Sequence, residues 1–231
     1  MKETEIVPQH LALIPDGNRR WAKKNSLNLF MGYKKGIQKF LEFGDWSKDA
    51  GVKMLTVWAL STENLTNRSS HELNVLFHLY AKAARDKAFL ERLDDTKTRI
   101  KFIGDMSALP AKLRRALKEV EAHTKNYKNF TINMLINYGG REDILHAVRK
   151  LASKGKRIND ELVAKCLRTA GLPDVDLVVR TSGEMRLSGL LPWQAAYSEL
   201  YFAEKYWPEF EKKDFDKAIS SFSRRQRRYG K

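Results

Sequence analysis

The chain has 231 residues, of which 42% are hydrophobic and 31% charged, so it holds enough apolar sequence for one large folded domain and is too patterned to be disordered. Its 43 lysines and arginines exceed its 28 aspartates and glutamates by 15, and this net charge of +15 predicts an anionic partner. The single cysteine, Cys166, excludes an internal disulfide and a multi-cysteine zinc site, and no stretch has the apolar length of a membrane span.

Short apolar runs alternate along the chain with longer segments of helical period. The predicted strands cover residues 11–14, 54–60, 100–103, 130–136 and 176–179. Helices are predicted before the second strand, ending near Gly51, and over residues 70–93, 110–124, 142–153, 160–169 and 212–228. This alternation predicts an α/β fold, in which residues 1–231 form a single domain with a central, mostly parallel β-sheet flanked by helices.

Polar loops follow four of the predicted strands. They read PDGNRRW from residue 15, STENLTNR from residue 61, NYGGR from residue 137 and RTSGEMRLS from residue 180. Any one of them is typical of an ordinary strand-to-helix turn. However, the carboxyl ends of parallel strands meet at one edge of a sheet, which is where ligands bind. We therefore expect the four loops to form one site.

The residue types in these loops suit a diphosphate. Gly17 lets the backbone come close to an anion at the start of a predicted helix, where N–H groups are free. Four arginines and a serine could donate hydrogen bonds to phosphate oxygens. They are Arg19, Arg20, Arg180, Arg186 and Ser188.

Asp16 is an acid among these arginines. It could cap the following helix or pair with an arginine. Alternatively, it could ligate magnesium, which proteins usually hold with one or two carboxylates and the phosphate oxygens of a substrate. Glu199 is a weaker second carboxylate by spacing alone.

Several standard motifs are absent from the sequence. There is no GxxxxGK[ST] nucleotide loop, no GxGxxG and no GxSxG. His71 and Glu72 begin like a zinc-protease helix, but Val75 stands where the second histidine should be. Asp94 and Asp95 belong to no DDxxD run, the acidic pattern of the trans-type prenyl synthases.

Together, the loops resemble the signatures of the cis-prenyltransferases, the undecaprenyl diphosphate synthase family. The resemblance runs from His10 to Gly230 and rests on separated motifs in the family's order, which begin at His10, Ser61, Asn137, Arg180 and Trp193. It implies a transferase with magnesium (Mg2+) as cofactor and a hydrophobic product tunnel. The implied reaction condenses isopentenyl diphosphate with an allylic diphosphate, expected to be farnesyl diphosphate, to give a Z-polyprenyl diphosphate.

The resemblance also implies roles for individual residues. Asp16 would bind magnesium and help the allylic diphosphate depart, and Glu199 would complete the metal site, within the chain or from a neighbouring subunit. Asn64, on a mobile loop, holds the position assigned to proton abstraction. Because a neutral amide is a poor base, we interpret Asn64 as orienting the proton path and leave the base open.

Two groups of substrate-binding residues follow from the same motifs. The allylic diphosphate would be held by Gly17, Asn18, Arg19 and Arg20, with Trp21, Tyr33, Ser61, Thr62, Glu63 and Arg68 as further candidates. Isopentenyl diphosphate would be held by Arg180, Arg186, Leu187 and Ser188, together with Arg228 and Gly230. The growing hydrocarbon would lie along Leu76, Leu79, Tyr80 and Ala59.

The basic carboxyl-terminal segment has two interpretations. A run of arginines at a terminus usually forms a solvated or nucleic-acid-binding arm. Within the family, Arg228 and Gly230 resemble a terminal RxG element that reaches across a homodimer and closes the partner's site, and we favour this interpretation.

Five positions depart from the common pattern of the family: Leu29, Tyr33, Leu65, Met185 and Gly189. They put primer choice and product length in doubt but leave Asp16, Arg180 and Arg186 intact, so we expect activity.

Two alternatives stay open: a non-catalytic subunit of a heteromeric prenyltransferase, and a basic nucleic-acid-binding protein. The second lacks any recognisable nucleic-acid-binding motif, so we expect no nucleic acid partner. We expect a cytoplasmic protein, for which peripheral membrane contact is compatible with the release of a long polyprenyl product into lipid.

Overall fold

A computed structural model of the chain describes residues 6–225. Its six strands are β1 (His10–Ile14), β2 (Met54–Ser61), β3 (Thr98–Ile103), β4 (Phe130–Tyr138), β5 (Leu177–Arg180) and β6 (Glu199–Phe202). They form one sheet in the order β3-β4-β2-β1-β5-β6, and every neighbouring pair is parallel. The predicted α/β class and all five predicted strands are confirmed. The strand β6 was not predicted, because it is a short edge strand whose four residues are all only partly buried.

The longer helices are α1 (Asn18–Lys24), α2 (Leu29–Asp49), α3 (Thr62–Asn67), α4 (Ser70–Ala83), α5 (Lys87–Thr96), α6 (Ala111–Thr124), α7 (Gly140–Ala152), α8 (Asp160–Cys166) and α9 (Lys212–Ser223). Short 3₁₀ turns cover Met106–Ala108 and Trp207–Glu209. None of the helices within residues 6–225 combines the length and apolar character needed to cross a bilayer.

Two segments differ from their predictions. The single helix predicted over residues 70–93 is two helices, because the Asp86 carboxylate accepts a hydrogen bond from the Phe89 amide at 2.9 Å and starts α5 anew. The loop predicted after β2 is the short helix α3, which begins where Ser61 Oγ accepts a hydrogen bond from the Asn64 amide at 3.0 Å. In both places a helix begins at an N-cap side chain, and the spacing of apolar residues did not predict this start.

The core fixes the loop that follows β1. Every residue of β1 and β5 is buried, as expected for inner strands of a parallel sheet that is covered on both faces. The ring of Trp207 packs edge-on against Phe43 of α2 at 5.5 Å. The Trp207 indole N–H donates to the Gly36 carbonyl, and its backbone N–H donates to the Asp16 carbonyl, both at 2.9 Å. The backbone of the Asp16 loop is thereby anchored to α2.

Candidate active site

The four polar loops lie at one edge of the sheet, as predicted. Strand register places Ile14 beside Arg180 and Ser61 beside Tyr138, so the loops that follow these strands converge. The residues they contribute form the polar rim of one pocket. The rim consists of Asp16, Gly17, Asn18, Arg19, Arg20, Ser61, Glu63, Asn64, Arg68, Arg180, Arg186 and Ser188, and Tyr33 lies with them in the pocket wall.

Behind the rim, the pocket continues as an apolar cavity between the sheet and the helices α2, α4, α5 and α6, and the whole pocket holds about 670 Å³. Its inner wall consists of Ile37, Phe40, Val57, Ala59, Leu76, Tyr80, Ala83, Ala84, Phe89, Ile100, Phe102, Leu117, Met134 and Ile136. The Tyr80 hydroxyl donates to the Ala59 carbonyl at 2.9 Å, and burial raises the pKa of Tyr80 to about 12, so this group stays neutral. Of the predicted tunnel residues, Leu79 packs in the core without lining the cavity.

Asp16 is an ionised carboxylate at the rim, with 30% of its side chain exposed. Its Oδ2 accepts a hydrogen bond from Arg180 Nη2 at 3.0 Å, and its Oδ1 accepts one from the Gly17 amide at 2.6 Å and lies 3.2 Å from Arg20 Nη2. Burial alone would raise the pKa of Asp16, but the hydrogen bond from Arg180 and the charges of Arg20 and Arg180 outweigh it and lower the pKa. Asp16 therefore pairs with arginines and does not cap α1.

Gly17 stands at the N-cap of α1 with a φ of 102°, in the left-handed region that favours glycine. A Cβ at this position would lie 2.7 Å from the ring of Tyr206. Both the backbone conformation and the close approach of Tyr206 therefore require glycine here. The first turn of α1 consequently reaches the rim with its amides uncovered by a side-chain cap.

Arg180 organises the loop that follows β5. It is 5% exposed, and its Nη1 donates to the Arg186 carbonyl at 2.6 Å and to Ser188 Oγ at 2.8 Å. Its buried Nε has no hydrogen-bond partner among residues 6–225. Because an unpaired buried donor is costly, the free Nε indicates that Arg180 retains capacity for an anionic ligand.

Glu184 is a site residue that the sequence analysis missed. Its Oε1 accepts a hydrogen bond from Arg20 Nη1 at 2.8 Å, and its Oε2 accepts one from Arg186 Nη1 at 2.6 Å. These two hydrogen bonds lower the pKa of Glu184 and keep it ionised. The two arginines had been assigned to different diphosphates, yet one carboxylate holds both. The available signal was an acid two positions before Arg186 in an otherwise basic loop.

Other predicted residues lie away from the pocket lining, and two lie outside the structure. Trp21, Thr62 and Leu187 do not line the pocket, and Leu187 packs against a buried cluster that includes Ile14. Arg228 and Gly230 lie outside the described residues.

Glu199 lies far from Asp16 within the chain. It is the first residue of β6 and pairs with Leu177, which is level with Leu11 of β1. Strands rise about 3.3 Å per residue and lie about 4.8 Å apart, so Asp16 is roughly 16 Å further along and two strands away. Glu199 instead accepts a hydrogen bond from Arg225 at 2.7 Å. The two carboxylates cannot share a metal ion within one chain.

The rim fits magnesium better than a metal that needs a cage of protein ligands. No cluster of three or more histidine, cysteine, aspartate or glutamate side chains in the part of the chain that the structure describes could hold a metal ion. Asp16 supplies one hard, ionised oxygen donor beside arginines that can hold phosphate. Magnesium keeps several of its waters and is typically bound by one or two carboxylates and substrate phosphates, so this donor set suits it.

Comparison with known proteins covers almost the whole chain. The family model for undecaprenyl diphosphate synthases matches residues 14–230. A tritrans,polycis-undecaprenyl-diphosphate synthase (geranylgeranyl-diphosphate specific) of Picrophilus torridus is 45% identical, over 97% of this chain and 90% of that protein.

Two solved structures also match. Lavandulyl diphosphate synthase from Lavandula x intermedia, in complex with dimethylallyl diphosphate, has a TM-score of 0.93 at 33% identity and covers 99% of this chain and 100% of its own. A probable undecaprenyl diphosphate synthase of Campylobacter jejuni has a TM-score of 0.80 at 30% identity, with the same coverage.

Proposed function

Because the chain belongs to the undecaprenyl diphosphate synthase family, it is a cis-prenyltransferase, and we propose which reaction it catalyses. It elongates an allylic diphosphate with isopentenyl diphosphate in a magnesium-dependent reaction. The observation that carries this proposal is the pocket itself. An ionised aspartate and several arginines surround the mouth of a cavity whose inner wall is apolar. A ligand with a diphosphate head and a hydrocarbon tail satisfies both parts.

The rim residues would stabilise the charge that develops when the allylic diphosphate departs. Arg20 and Arg180 lie beside Asp16 at the rim, where they would supply positive charge that is in place before the diphosphate departs. Magnesium held at Asp16 would neutralise phosphate oxygens further. Glu184 would keep Arg20 and Arg186 at the rim until the diphosphates engage them.

Asn64 would orient the proton path. It lies in the first turn of α3, in the pocket wall, where the Ser61 cap fixes its backbone. Its amide cannot act as a base at neutral pH, so the proton acceptor is a group of the substrates or another residue of the rim.

The allylic primer is the finer part of the proposal. The sequence alone led us to expect farnesyl diphosphate, whereas the names of the relatives from Picrophilus torridus, Pyrobaculum aerophilum and Thermoplasma acidophilum specify geranylgeranyl diphosphate. We therefore favour geranylgeranyl diphosphate for this chain.

A primer series tests the proposal. Purified protein is incubated with magnesium, labelled isopentenyl diphosphate and dimethylallyl, geranyl, farnesyl or geranylgeranyl diphosphate in turn. We expect elongated products with the longer primers and the highest kcat/KM with geranylgeranyl diphosphate. A higher value with farnesyl diphosphate would restore the sequence-based expectation. No product with any primer would contradict the proposal and favour the non-catalytic subunit, which the intact Asp16, Arg20 and Arg180 otherwise argue against.

Homodimerisation and closure of the pocket by a partner's tail belong to the same proposal. Arg225, the last described residue, is tied to Glu199 and to the Leu200 carbonyl at the start of β6. This end of the sheet lies opposite to the rim of the chain's own pocket. That position supports a role for Arg228 and Gly230 in a neighbouring subunit's pocket.

Complementation between two inactive variants tests this arrangement. If the tail acts across a dimer, mixing Asp16→Asn chains with Arg228→Ala chains leaves one intact pocket in each mixed dimer, with its own Asp16 and its partner's Arg228. We expect the mixture to recover about half of the wild-type activity per mixed dimer. No recovery after verified exchange of subunits would contradict a tail that acts in trans.

Two expectations from composition stay predictions. Peripheral membrane contact rests on the net charge and on the lipid character of the product. The lack of a nucleic acid partner rests on the missing motifs.

A further inference from the structure

Tyr33 occupies a position where the family pattern usually has histidine, and it holds a buried carboxylate. It lies on α2, is 6% exposed, and its hydroxyl donates to Glu72 Oε1 at 2.5 Å. Glu72, in the first turn of α4, is 5% exposed. A buried carboxylate is costly unless charges and hydrogen bonds compensate for it, so the partners of Glu72 decide whether it can stay there.

The other partners of Glu72 are two arginines of the rim. Arg68 Nε lies 3.0 Å from Glu72 Oε1, and Arg19 Nη1 lies 3.4 Å from Glu72 Oε2. The Arg68 guanidinium also lies over the ring of Tyr33, 5.7 Å from its centre. These contacts join α1, α2, α3 and α4 at one carboxylate beside the pocket.

Arg68 is well placed to bind an anion. Only 16% of its side chain is exposed, and its buried Nε, although it forms an ion pair with Glu72, has no hydrogen-bond partner among residues 6–225. It lines the pocket together with Arg19. A diphosphate at the rim would draw both guanidinium groups towards its oxygens. The buried carboxylate of Glu72 would then lose part of the positive charge that compensates it.

We propose that Tyr33 is a positioning residue whose hydroxyl holds the Glu72 carboxylate, so that Glu72 orients Arg68 and Arg19 towards a diphosphate. When the two arginines bind the diphosphate, the hydrogen bond from Tyr33 continues to stabilise the buried negative charge of Glu72. The proposal rests on the proposed function, because it takes the diphosphate of the substrate as the ligand. Tyr33 donates a hydrogen bond without positive charge, so it does not compete with the arginines for phosphate.

The phenol also makes this contact independent of pH. The ionisable groups that face Tyr33 are Glu72 from α4, Arg68 from the end of α3 and Arg19 from α1. Burial raises the pKa of the Tyr33 hydroxyl above its ordinary value; Arg68 opposes this effect and Glu72 adds to it. The hydroxyl therefore keeps its proton throughout the neutral range. A histidine here, with an ordinary pKa of about 6.5, would change its charge within that range.

The test compares Tyr33→Phe and Tyr33→His with the control Tyr127→Phe. Tyr127 also donates to a carboxylate, Asp94, at 2.7 Å, but it lies outside the pocket lining. The readouts are KM for the allylic diphosphate, kcat, and the affinity for inorganic pyrophosphate by calorimetry. For Tyr33→Phe we expect about a tenfold weaker pyrophosphate affinity and a KM raised by about as much, with a smaller change in kcat. The control should leave all three unchanged.

Tyr33→His supplies the readout that a purely structural role would not move. Because the ligand phosphates themselves ionise at about pH 6, both profiles are compared with those of the wild-type protein, and we expect Tyr33→His to add a further ionisation between about pH 5 and 8 to its pyrophosphate affinity and its KM. Wild-type values for Tyr33→Phe, or no new ionisation in Tyr33→His, would overturn the proposal. If Tyr33→Phe does not fold, the pH profile of Tyr33→His decides alone. Failure of the proposed function is separate, because it would appear as missing turnover in the wild type, while the pyrophosphate affinities still test Tyr33.

Discussion

Replacing Asp16 by asparagine is expected to lower kcat by a factor on the order of 10³ while leaving the fold intact. Asparagine keeps the shape of the side chain but removes the ionised oxygens that face Arg180, Arg20 and the expected magnesium. The loop itself is anchored elsewhere, because the Asp16 carbonyl accepts hydrogen bonds from the Trp207 amide and from Thr181 Oγ1. Steady-state kinetics at saturating substrates and a thermal melt give the two readouts.

The pH dependence follows from the lowered pKa of Asp16. Its folded pKa lies below the unfolded value of about 3.8, so the carboxylate contributes stability above that value and loses the contribution as pH falls below it. Between pH 5 and 9 the carboxylate stays charged, and no ionisation in the kcat profile in this range should belong to it.

Asp94→Asn is the matched control for Asp16→Asn, since Asp94 is also hydrogen-bonded but lies outside the pocket. A near-normal kcat for Asp16→Asn would contradict the metal assignment.

Changing the inner wall of the cavity is expected to change the length of the product. Ala84 lies in the wall, and a leucine there adds three carbon atoms that would occupy part of the cavity, so Ala84→Leu should shorten the product by about one isoprene unit. Leu117→Ala removes a wall side chain and should allow longer products. Chromatography of the chains formed with one primer measures both effects.

A second leucine separates the cavity from general loss of packing. Leu79 is as buried as Leu117 but does not line the cavity. Leu79→Ala should therefore lower stability by a similar amount, about 2 to 5 kcal/mol, without changing the product length. Equal shifts in length for Leu79→Ala and Leu117→Ala would contradict the assignment of the cavity to the growing chain.

The convergence of the four loops was predictable from the sequence because the geometry of a parallel sheet leaves little choice. Asp16 and Arg180 were each placed just after a strand, and parallel strands carry such residues to one edge of the sheet. The structure adds that β1 and β5 are neighbours, which brings the two side chains to 3.0 Å. The position of Glu199, by contrast, could not be predicted from the sequence. A short, half-buried edge strand gave no clear pattern, so its end of the sheet could not be assigned.

Contacts between long side chains were out of reach of sequence patterns. The link from Glu184 to Arg20 joins residues 164 positions apart, and the link from Tyr33 to Glu72 depends on how α2 packs on α4. No local period records such pairs. The polar composition of the loops was the only sequence feature that indicated contacts between arginines and carboxylates at this edge of the sheet.

The departures from the family pattern take on physical meaning in the structure. Leu29 and Leu65 pack against the main core cluster. At these two positions, where the family pattern has other residues, the side chains of this chain therefore contribute apolar packing. Met185 is 77% exposed and does not line the pocket. Gly189 has a φ of 91°, and its carbonyl accepts a hydrogen bond from the Gly140 amide at 3.1 Å, which suits glycine at that turn. None of the four positions lines the pocket.

On the proposed function, this pocket builds cis double bonds onto an allylic diphosphate. The most direct test is to let the protein elongate geranylgeranyl diphosphate with isotopically labelled isopentenyl diphosphate and magnesium, and to determine the geometry of the newly formed double bonds by NMR. We expect labelled bonds of Z geometry, and no labelled product when a chelator removes the metal. New bonds of E geometry, or no incorporation of label with magnesium present, would contradict it.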